Sequence, residues 1–307
     1  MGGKAPFCEE GYHSGNNGVV ARGKEGVRKM GDGPDKAMGS LADLLLDYVG
    51  STRVHDANYE IAQGLLRNYT QLASMSLRQM ADACYVSKAS FSRFCRYLGF
   101  TDFSEFKGAV DGAKYRVTDD FSRSFYKELM SDRDTALRAH RTRVIDVLNA
   151  TLRDDDLEVI DEVMEELESA RRIAFFSHHF LWHIGRYFQG KMLPLGRYVE
   201  LYQSYAHQEE LASQLGKDDL VFICTLNGSY FPNYRDIAEK IFQSGAKVVV
   251  LTQNRNVWFL NRADYVLLCG TSNENDVGKY AALLTIDQLA LSYMRHMQVG
   301  EDPIEKG

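Results

Sequence analysis

Basic and hydroxyl-bearing side chains are concentrated in a nine-residue stretch near the end of the first third of the chain. Ammonium and guanidinium groups neutralise DNA phosphates, arginine can donate two hydrogen bonds to a guanine edge, and serine hydroxyls bond to phosphates or bases at short range. We therefore predict contact with DNA, with Arg93 as the candidate for direct base reading. The candidate residues are Lys88, Ser90, Ser92, Arg93 and Arg96.

Two short helices would position these side chains. Ser76 and Gln79 have the spacing of a capping box, and Ser87 is suited to cap a second helix that stops at Gly99. Apolar residues follow a helical period in both segments: Leu77, Met80, Ala81 and Cys84, then Phe91, Phe94, Cys95 and Leu98. The pattern fits a helix-turn-helix, and from the pattern alone an ordinary structural αα-hairpin fits equally well.

A family resemblance favours DNA binding. The run VSKASFSRFCRYLGF at 86–100, followed by FSEFK at 103–107, resembles the N-terminal domain of RpiR-type transcriptional regulators. The resemblance implies a double-stranded DNA operator as partner.

Composition and charge agree with a two-domain protein that lacks a membrane segment. The 307 residues are 45% hydrophobic and 25% charged. Residues 1–140 carry a net charge of +1 and residues 141–307 a net charge of −7, so the acidity lies outside the predicted DNA-binding part. Five cysteines without a CxxC pair, no apolar run near ~18 residues and no signal peptide predict a cytoplasmic protein.

The chain divides into four predicted segments: a disordered tail (1–38), an all-α helix-turn-helix bundle (39–116), a charged linker (117–140) and an α/β/α domain (141–300). In the last segment, five short apolar runs alternate with helical stretches, which is typical of parallel strands buried on both faces. These runs are 172–177, 198–202, 220–225, 247–252 and 265–269. Ligands in such folds bind at the carboxyl ends of the strands.

The second half resembles the SIS (sugar isomerase) domain of RpiR-type regulators, through FICTLNGS at 222–229, GAKV at 245–248 and ADYVL at 263–267. The resemblance implies an oligomerising domain, a homodimer or homotetramer, that senses a sugar phosphate or a related anion. The implied effector residues are Ser177, His178, His179, Thr225, Asn227, Gly228, Ser229 and Tyr230.

Both implied phosphate turns depart from the family pattern, since the first has no glycine and the second keeps one glycine but few hydroxyls. Three interpretations stay open. The pocket binds an anion through Thr225 and His178 or His179; it binds a non-phosphorylated ligand through Asn227, Ser229 and Tyr230; or the domain serves only oligomerisation.

Catalysis and metal binding are weaker hypotheses. A phosphosugar isomerase would need a base such as His207, Glu209 or Glu210, but no motif places one. His179 and His183 are spaced i, i+4 without an evident third ligand. We therefore expect a protein that is not an enzyme and that has neither a cofactor nor a metal.

Overall fold

The computed structural model describes residues 41–112, 123–151, 154–255, 258–270 and 275–298. The tail predicted over 1–38 lies outside these residues. Within them, no helix combines the length and apolar character needed to cross a membrane.

The N-terminal domain is all-α, as predicted. Its helices are α1 (Leu41–Ser51), α2 (Ala57–Arg67), α3 (Leu77–Ala83), α4 (Lys88–Tyr97) and α5 (Phe103–Gly112), with a 3₁₀ turn (Tyr69–Ser74) after α2. Phe91 of α4 packs edge-to-face on Phe106 of α5, with 5.7 Å between ring centroids. Both rings are fully buried, so α5 supports the second helix of the pair from beneath.

Within the segment predicted as a linker (117–140), the described residues are mostly helical. Helices α6 (Arg123–Ser131) and α7 (Arg133–Asn149) follow each other, and Asp132 caps α7 by accepting a hydrogen bond from the Thr135 backbone N–H at 3.1 Å. Val147 of α7 is buried in the core of the C-terminal domain. This segment has many charged residues and few buried ones, and for this reason the sequence predicted a solvent-exposed linker.

The C-terminal domain contains one five-stranded, all-parallel sheet between helices, as predicted. The strands are β1 (Arg172–Phe176), β2 (Val199–Leu201), β3 (Asp219–Cys224), β4 (Lys247–Thr252) and β5 (Tyr265–Leu268), in the order β2-β1-β3-β4-β5. The helices are α8 (Asp154–Ser169), α9 (Phe180–Met192), α10 (Tyr205–Ser213), α11 (Tyr230–Asn233), α12 (Arg235–Gln243) and α13 (Asn275–Gln298). The helix predicted over 231–244 is broken at Tyr234.

Alternate strand residues fill two cores, one on each face of the sheet. Phe175 and the strand residues on the same face of the sheet pack against α7, α8, α9 and α13. Phe176 and the strand residues on the opposite face pack against α10, α11 and α12. Because all strands are parallel, their carboxyl ends meet at one edge, and the strand order reverses between β1 and β3.

Candidate DNA-binding face and ligand cavity

The helix pair α3–α4 is capped as its sequence predicts. Ser76 Oγ accepts from the Gln79 backbone N–H at 3.3 Å, and Gln79 Oε1 accepts from the Ser76 N–H at 2.8 Å, which completes the capping box. Ser87 Oγ accepts from the Ser90 N–H at 3.1 Å and starts α4. The helix-turn-helix prediction is confirmed, with three residues between the end of α3 and the cap of α4.

The outer face of α4 carries the predicted DNA contacts. At about 100° per residue, Ala89, Arg93 and Arg96 form one exposed stripe opposite the buried Phe91 and Phe94. Lys88 is exposed beside this stripe, while Ser90 and Ser92 are half-buried on its two flanks. The structure therefore places Arg93 and Arg96 together on the exposed face, with Lys88, Ser90 and Ser92 at its margins.

Neighbouring side chains orient Arg93 along this face. Its Nη2 donates to Ser90 Oγ at 3.0 Å, and Ser90 Oγ lies 3.0 Å from Ser87 Oγ. Lys107, by contrast, does not join the face: its Nζ donates to the Leu72 carbonyl at 3.2 Å and to the Ala73 carbonyl at the end of the 3₁₀ turn.

Helices α3 and α4 end in the same hydrogen-bonded turn, a Schellman motif. After α3, the Tyr85 N–H donates to the Asp82 carbonyl and the Val86 N–H to the Ala81 carbonyl; after α4, Gly99 and Phe100 make the equivalent bonds. The motif requires a positive φ at its central residue. Gly99 has φ +92°, which suits glycine, whereas Tyr85 adopts φ +55° with a β-carbon.

In the C-terminal domain, the turn after β3 satisfies its own polar groups. Thr225 Oγ1 accepts from the Tyr230 N–H at 3.1 Å, and Asn227 Oδ1 accepts from the Ser229 N–H at 2.9 Å. Gly228 has φ +86° within this turn. Ser229 Oγ lies 3.3 Å from His178 Nε2, so the turns after β1 and β3 meet across the switch point.

A buried amide joins three strand ends behind this contact. Gln208 Nε2 donates to the carbonyls of Ser177, at 2.9 Å, and Tyr202, at 2.7 Å. Its Oε1 accepts from the buried Tyr230 hydroxyl at 2.8 Å. The side chains of His178, Gln208 and Tyr230 are therefore buried at the carboxyl ends of the strands.

The open space lies instead on the β2 side of the β1 turn, in a cavity of about 190 Å³. Its walls combine the β1 turn, the start of α9, the segment after β2 and helix α1 of the N-terminal domain. The lining residues are Asp43, Leu46, Asp47, Ser177, His178, His179, Trp182, His183 and Gln203. Of the eight predicted effector residues, only Ser177, His178 and His179 line this cavity.

Helix α1 reaches the cavity through two carboxylates. Asp43 Oδ2 lies 3.0 Å from His179 Nδ1, and the Asp47 carboxylate accepts a hydrogen bond from Gln203 Nε2. His179 has φ +51° and ψ −137°, a conformation that costs a non-glycine residue about 1–3 kcal/mol. The glycine expected from the family pattern would avoid this strain, so His179 places an imidazole against α1 at an energetic cost.

Burial determines the protonation of the two innermost groups. Burial, and then the neighbouring His179, lower the pKa of His178 to about 3, so this imidazole is neutral at pH 7. Burial, and then the Asp43 carboxylate, raise the pKa of Asp47.

Two residues considered for catalysis, His207 and Glu209, have partners within the chain and do not line the cavity. Glu209 is ion-paired with Lys240 at 2.9 Å, and His207 Nδ1 lies 2.8 Å from Ser204 Oγ. Across the described ranges, no three histidine, cysteine or acidic side chains are grouped so as to hold a metal ion.

Comparison with known proteins agrees with this geometry. The sequence profile described as "Helix-turn-helix domain, rpiR family" matches residues 50–114, which include α2 to α5. Residues 50–114 are therefore a helix-turn-helix domain of the rpiR family. It is 28% identical to an HTH-type transcriptional regulator of Haemophilus influenzae, over 79% of this chain and 85% of the relative. It is 24% identical to the HTH-type transcriptional regulator HexR of Pseudomonas aeruginosa, over 65% and 69% of the two chains.

Among solved structures, this chain is similar to the Vibrio vulnificus NanR protein complexed with ManNAc-6P. The match has 19% identity and a TM-score of 0.46, and it covers 82% of this chain and 92% of NanR.

Six of the nine lining residues were not among the predicted effector residues, and His183 among them was considered only as a metal ligand. The six are Asp43, Leu46, Asp47, Trp182, His183 and Gln203. Trp182 and Gln203 are near predicted strand ends, a position that signals a ligand site. The two aspartates carried no such signal, because they belong to a helix more than 130 residues before the strand end that they contact.

Proposed function

We propose that this RpiR-type regulator is a cytoplasmic, DNA-binding protein without catalytic activity that reads an operator through α4 and senses a small metabolite through its C-terminal domain. The observation that carries the proposal is the exposed stripe of Ala89, Arg93 and Arg96, on the second helix of a capped helix-turn-helix. Recognition helices of this motif enter the major groove with such a stripe.

Oligomerisation is the second part of the proposal. Two copies joined through their C-terminal domains would present two α4 helices to a two-fold symmetric operator. The apolar side chains that remain partly exposed on α13, such as Leu283, Leu291 and Met294, supply a surface for this contact. An effector would act by binding with different affinity to dimers that differ in the arrangement of their two helix-turn-helix domains.

Arg93→Ala tests the DNA-binding role. The operator is first selected from a random duplex library with the parent protein, and affinity is then measured as a function of salt. A bidentate contact to guanine predicts a loss of about 1–3 kcal/mol, or roughly 10- to 100-fold, with relaxed preference at one base pair.

Arg186→Ala is the matched control, because it removes the same charge from an exposed position on α9. We expect its operator affinity to equal that of the parent. Equal affinity of the Arg93→Ala variant and the parent would disprove the assigned role of Arg93, and a parent that selects no sequence would disprove the proposed function.

A further inference from the structure

The cavity between α1 and the β1 turn has a lining that disfavours anions. Two carboxylates, Asp43 and Asp47, face it, and its lining residues include neither lysine nor arginine. Three histidines also line the cavity: His178, His179 and His183. The imidazole of His178 is neutral at pH 7, so it cannot compensate an anion, and the imidazole of His179 already contacts Asp43. A phosphate ester in this space would lie beside two negative charges in a partly desolvated site, where Coulomb repulsion is strong.

The same lining holds polar atoms that need partners. Ser177 Oγ, His178 Nδ1 and Trp182 Nε1 are buried without a hydrogen-bond partner. Ser177 is fully buried and His178 is 6% exposed. These atoms have almost no accessible surface, although their residues line the cavity. Because buried polar atoms in folded proteins are almost always hydrogen-bonded, three unpartnered atoms on lining residues point to a ligand that supplies donors and acceptors once these side chains turn towards it.

We propose that this cavity binds a small polyhydroxylated amine, such as an amino sugar, in its non-phosphorylated form. The ammonium group would pair with Asp47 and Asp43, and the hydroxyl groups would bond to Ser177, His178 and Trp182. A volume of about 190 Å³ suits a molecule of monosaccharide size or smaller, since drug-sized ligands occupy about 300–1,000 Å³. This inference rests on the proposed function and specifies its effector class.

The site also links the ligand to the DNA-binding domain. Asp43 and Asp47 belong to α1, which packs on α2 in the core that supports the helix-turn-helix. A ligand that contacts both carboxylates therefore has different affinities for the docked and undocked positions of α1. By linkage, the ligand changes operator affinity by the same factor as the operator changes ligand affinity.

The first experiment is a thermal-unfolding panel on the full chain without DNA. The probes are glucosamine, galactosamine and mannosamine, their parent sugars, their 6-phosphates and inorganic phosphate. We expect at least one free amino sugar to raise Tm by about 5–10 °C at a hundredfold excess over Kd, and its 6-phosphate to raise Tm less.

Asp47→Asn then assigns the effect to the cavity. The asparagine keeps an acceptor for Gln203 but removes the charge, so we expect a loss of about 10- to 100-fold in affinity for the amine. Glu60→Gln, at an exposed position on α2, is the charge-matched control and should bind like the parent. A larger shift with phosphate esters, no shift with any amine, or equal binding by the Asp47→Asn variant would overturn the inference. Operator binding, tested through Arg93, is measured separately and can succeed when this inference fails.

A second inference concerns Tyr85, in the turn between α3 and α4. Tyr85 occupies the left-handed position of its Schellman motif, where the equivalent turn after α4 has a glycine. Its side chain is 96% exposed, so no packing in this chain offsets the backbone strain. It lies two residues before Ser87, beside the end of α4 that enters the groove in this type of domain.

We infer that Tyr85 is a positioning residue that donates its hydroxyl hydrogen bond to the DNA sugar–phosphate backbone beside the groove. Tyrosine is among the side chains that make such contacts. The inference rests on the proposed DNA binding and adds one residue to it.

Three variants test this role on the selected operator. Tyr85→Phe should weaken binding several-fold without changing the salt dependence, because a neutral donor displaces no counterion, whereas Lys88→Ala should reduce the salt slope. Tyr85→Gly should weaken binding at least as much while Tm stays equal or rises. If both Tyr85 variants bound the operator as tightly as the parent while Arg93→Ala bound it more weakly, the positioning role of Tyr85 would be disproved. The proposed DNA-binding function would not be affected.

Discussion

Tyr85 and His179 are the two non-glycine residues with positive φ in the described parts of the chain, and each lies at one of the two proposed binding sites. Tyr85 precedes the DNA-reading helix and points its side chain into solvent. His179 follows β1 and holds its imidazole 3.0 Å from Asp43 of the other domain. Strain is present in both turns, but only one of the two side chains already has a partner within the chain.

This difference separates two modes of recognition. The DNA-binding face is complete as it stands, because its side chains are exposed and oriented by short local contacts such as Arg93 to Ser90. The cavity depends on contacts between distant segments, so its shape changes if α1 moves. Substitutions that remove strain or charge from one turn at a time should therefore affect the two regions differently.

The largest expected effect is a loss of stability in acid that originates at His178. Its pKa is about 3 in the folded state and about 6.5 when unfolded, so between these values the unfolded state binds the extra proton. Stability therefore falls as pH drops below about 6.5, by about 1.4 kcal/mol per unit and about 2 kcal/mol by pH 5.

Urea unfolding of the parent and of His178→Gln at pH 7 and pH 5 measures this contribution, as the difference between their pH dependences. His55→Gln removes an exposed histidine from the N-terminal domain and serves as control. Identical pH dependence of the parent and His178→Gln would contradict the assignment.

The next effect concerns the Schellman turn after α4, which has Gly99 at its left-handed position. Gly99→Ala places a β-carbon on a residue with φ +92°, and we expect a destabilisation of about 1–2 kcal/mol in urea unfolding. Gly108→Ala, within α5 and with no atom within 4 Å of the added carbon, should instead stabilise by up to about 1 kcal/mol. If both substitutions changed stability in the same direction, the turn geometry at Gly99 would not be the cause.

The smallest effect is expected at the strained turn of the cavity. His179→Gly removes about 1–3 kcal/mol of strain and loses the contact with Asp43, whose partners are 40% and 37% exposed, worth at most about 1 kcal/mol. We expect a net stabilisation of about 1 kcal/mol, measured by urea unfolding. A net destabilisation would instead show that the contact between His179 and Asp43 outweighs the backbone strain at His179.

Much of the fold could be predicted because it is encoded locally. The caps at Ser76 and Ser87 and the apolar runs of the five strands needed only neighbouring residues, and both caps and all five strands are present. The positions of Asp43 and Asp47 could not be predicted, since the contact that makes them part of the cavity joins two domains. Likewise, a turn at Tyr85 was predictable, but its left-handed backbone was not, because glycine is the usual signal and is absent.

The Gln208 amide gives the cavity one rigid wall and one movable wall. Three hydrogen bonds fix the ends of β1 and β2 and the turn after β3 to this single side chain. The sheet edge therefore cannot open without breaking buried bonds, whereas α1 is attached there mainly through half-exposed polar contacts. In mechanical terms, a molecule bound in the cavity would push α1 away from a fixed support, and α1 packs on α2 in the domain that carries Arg93.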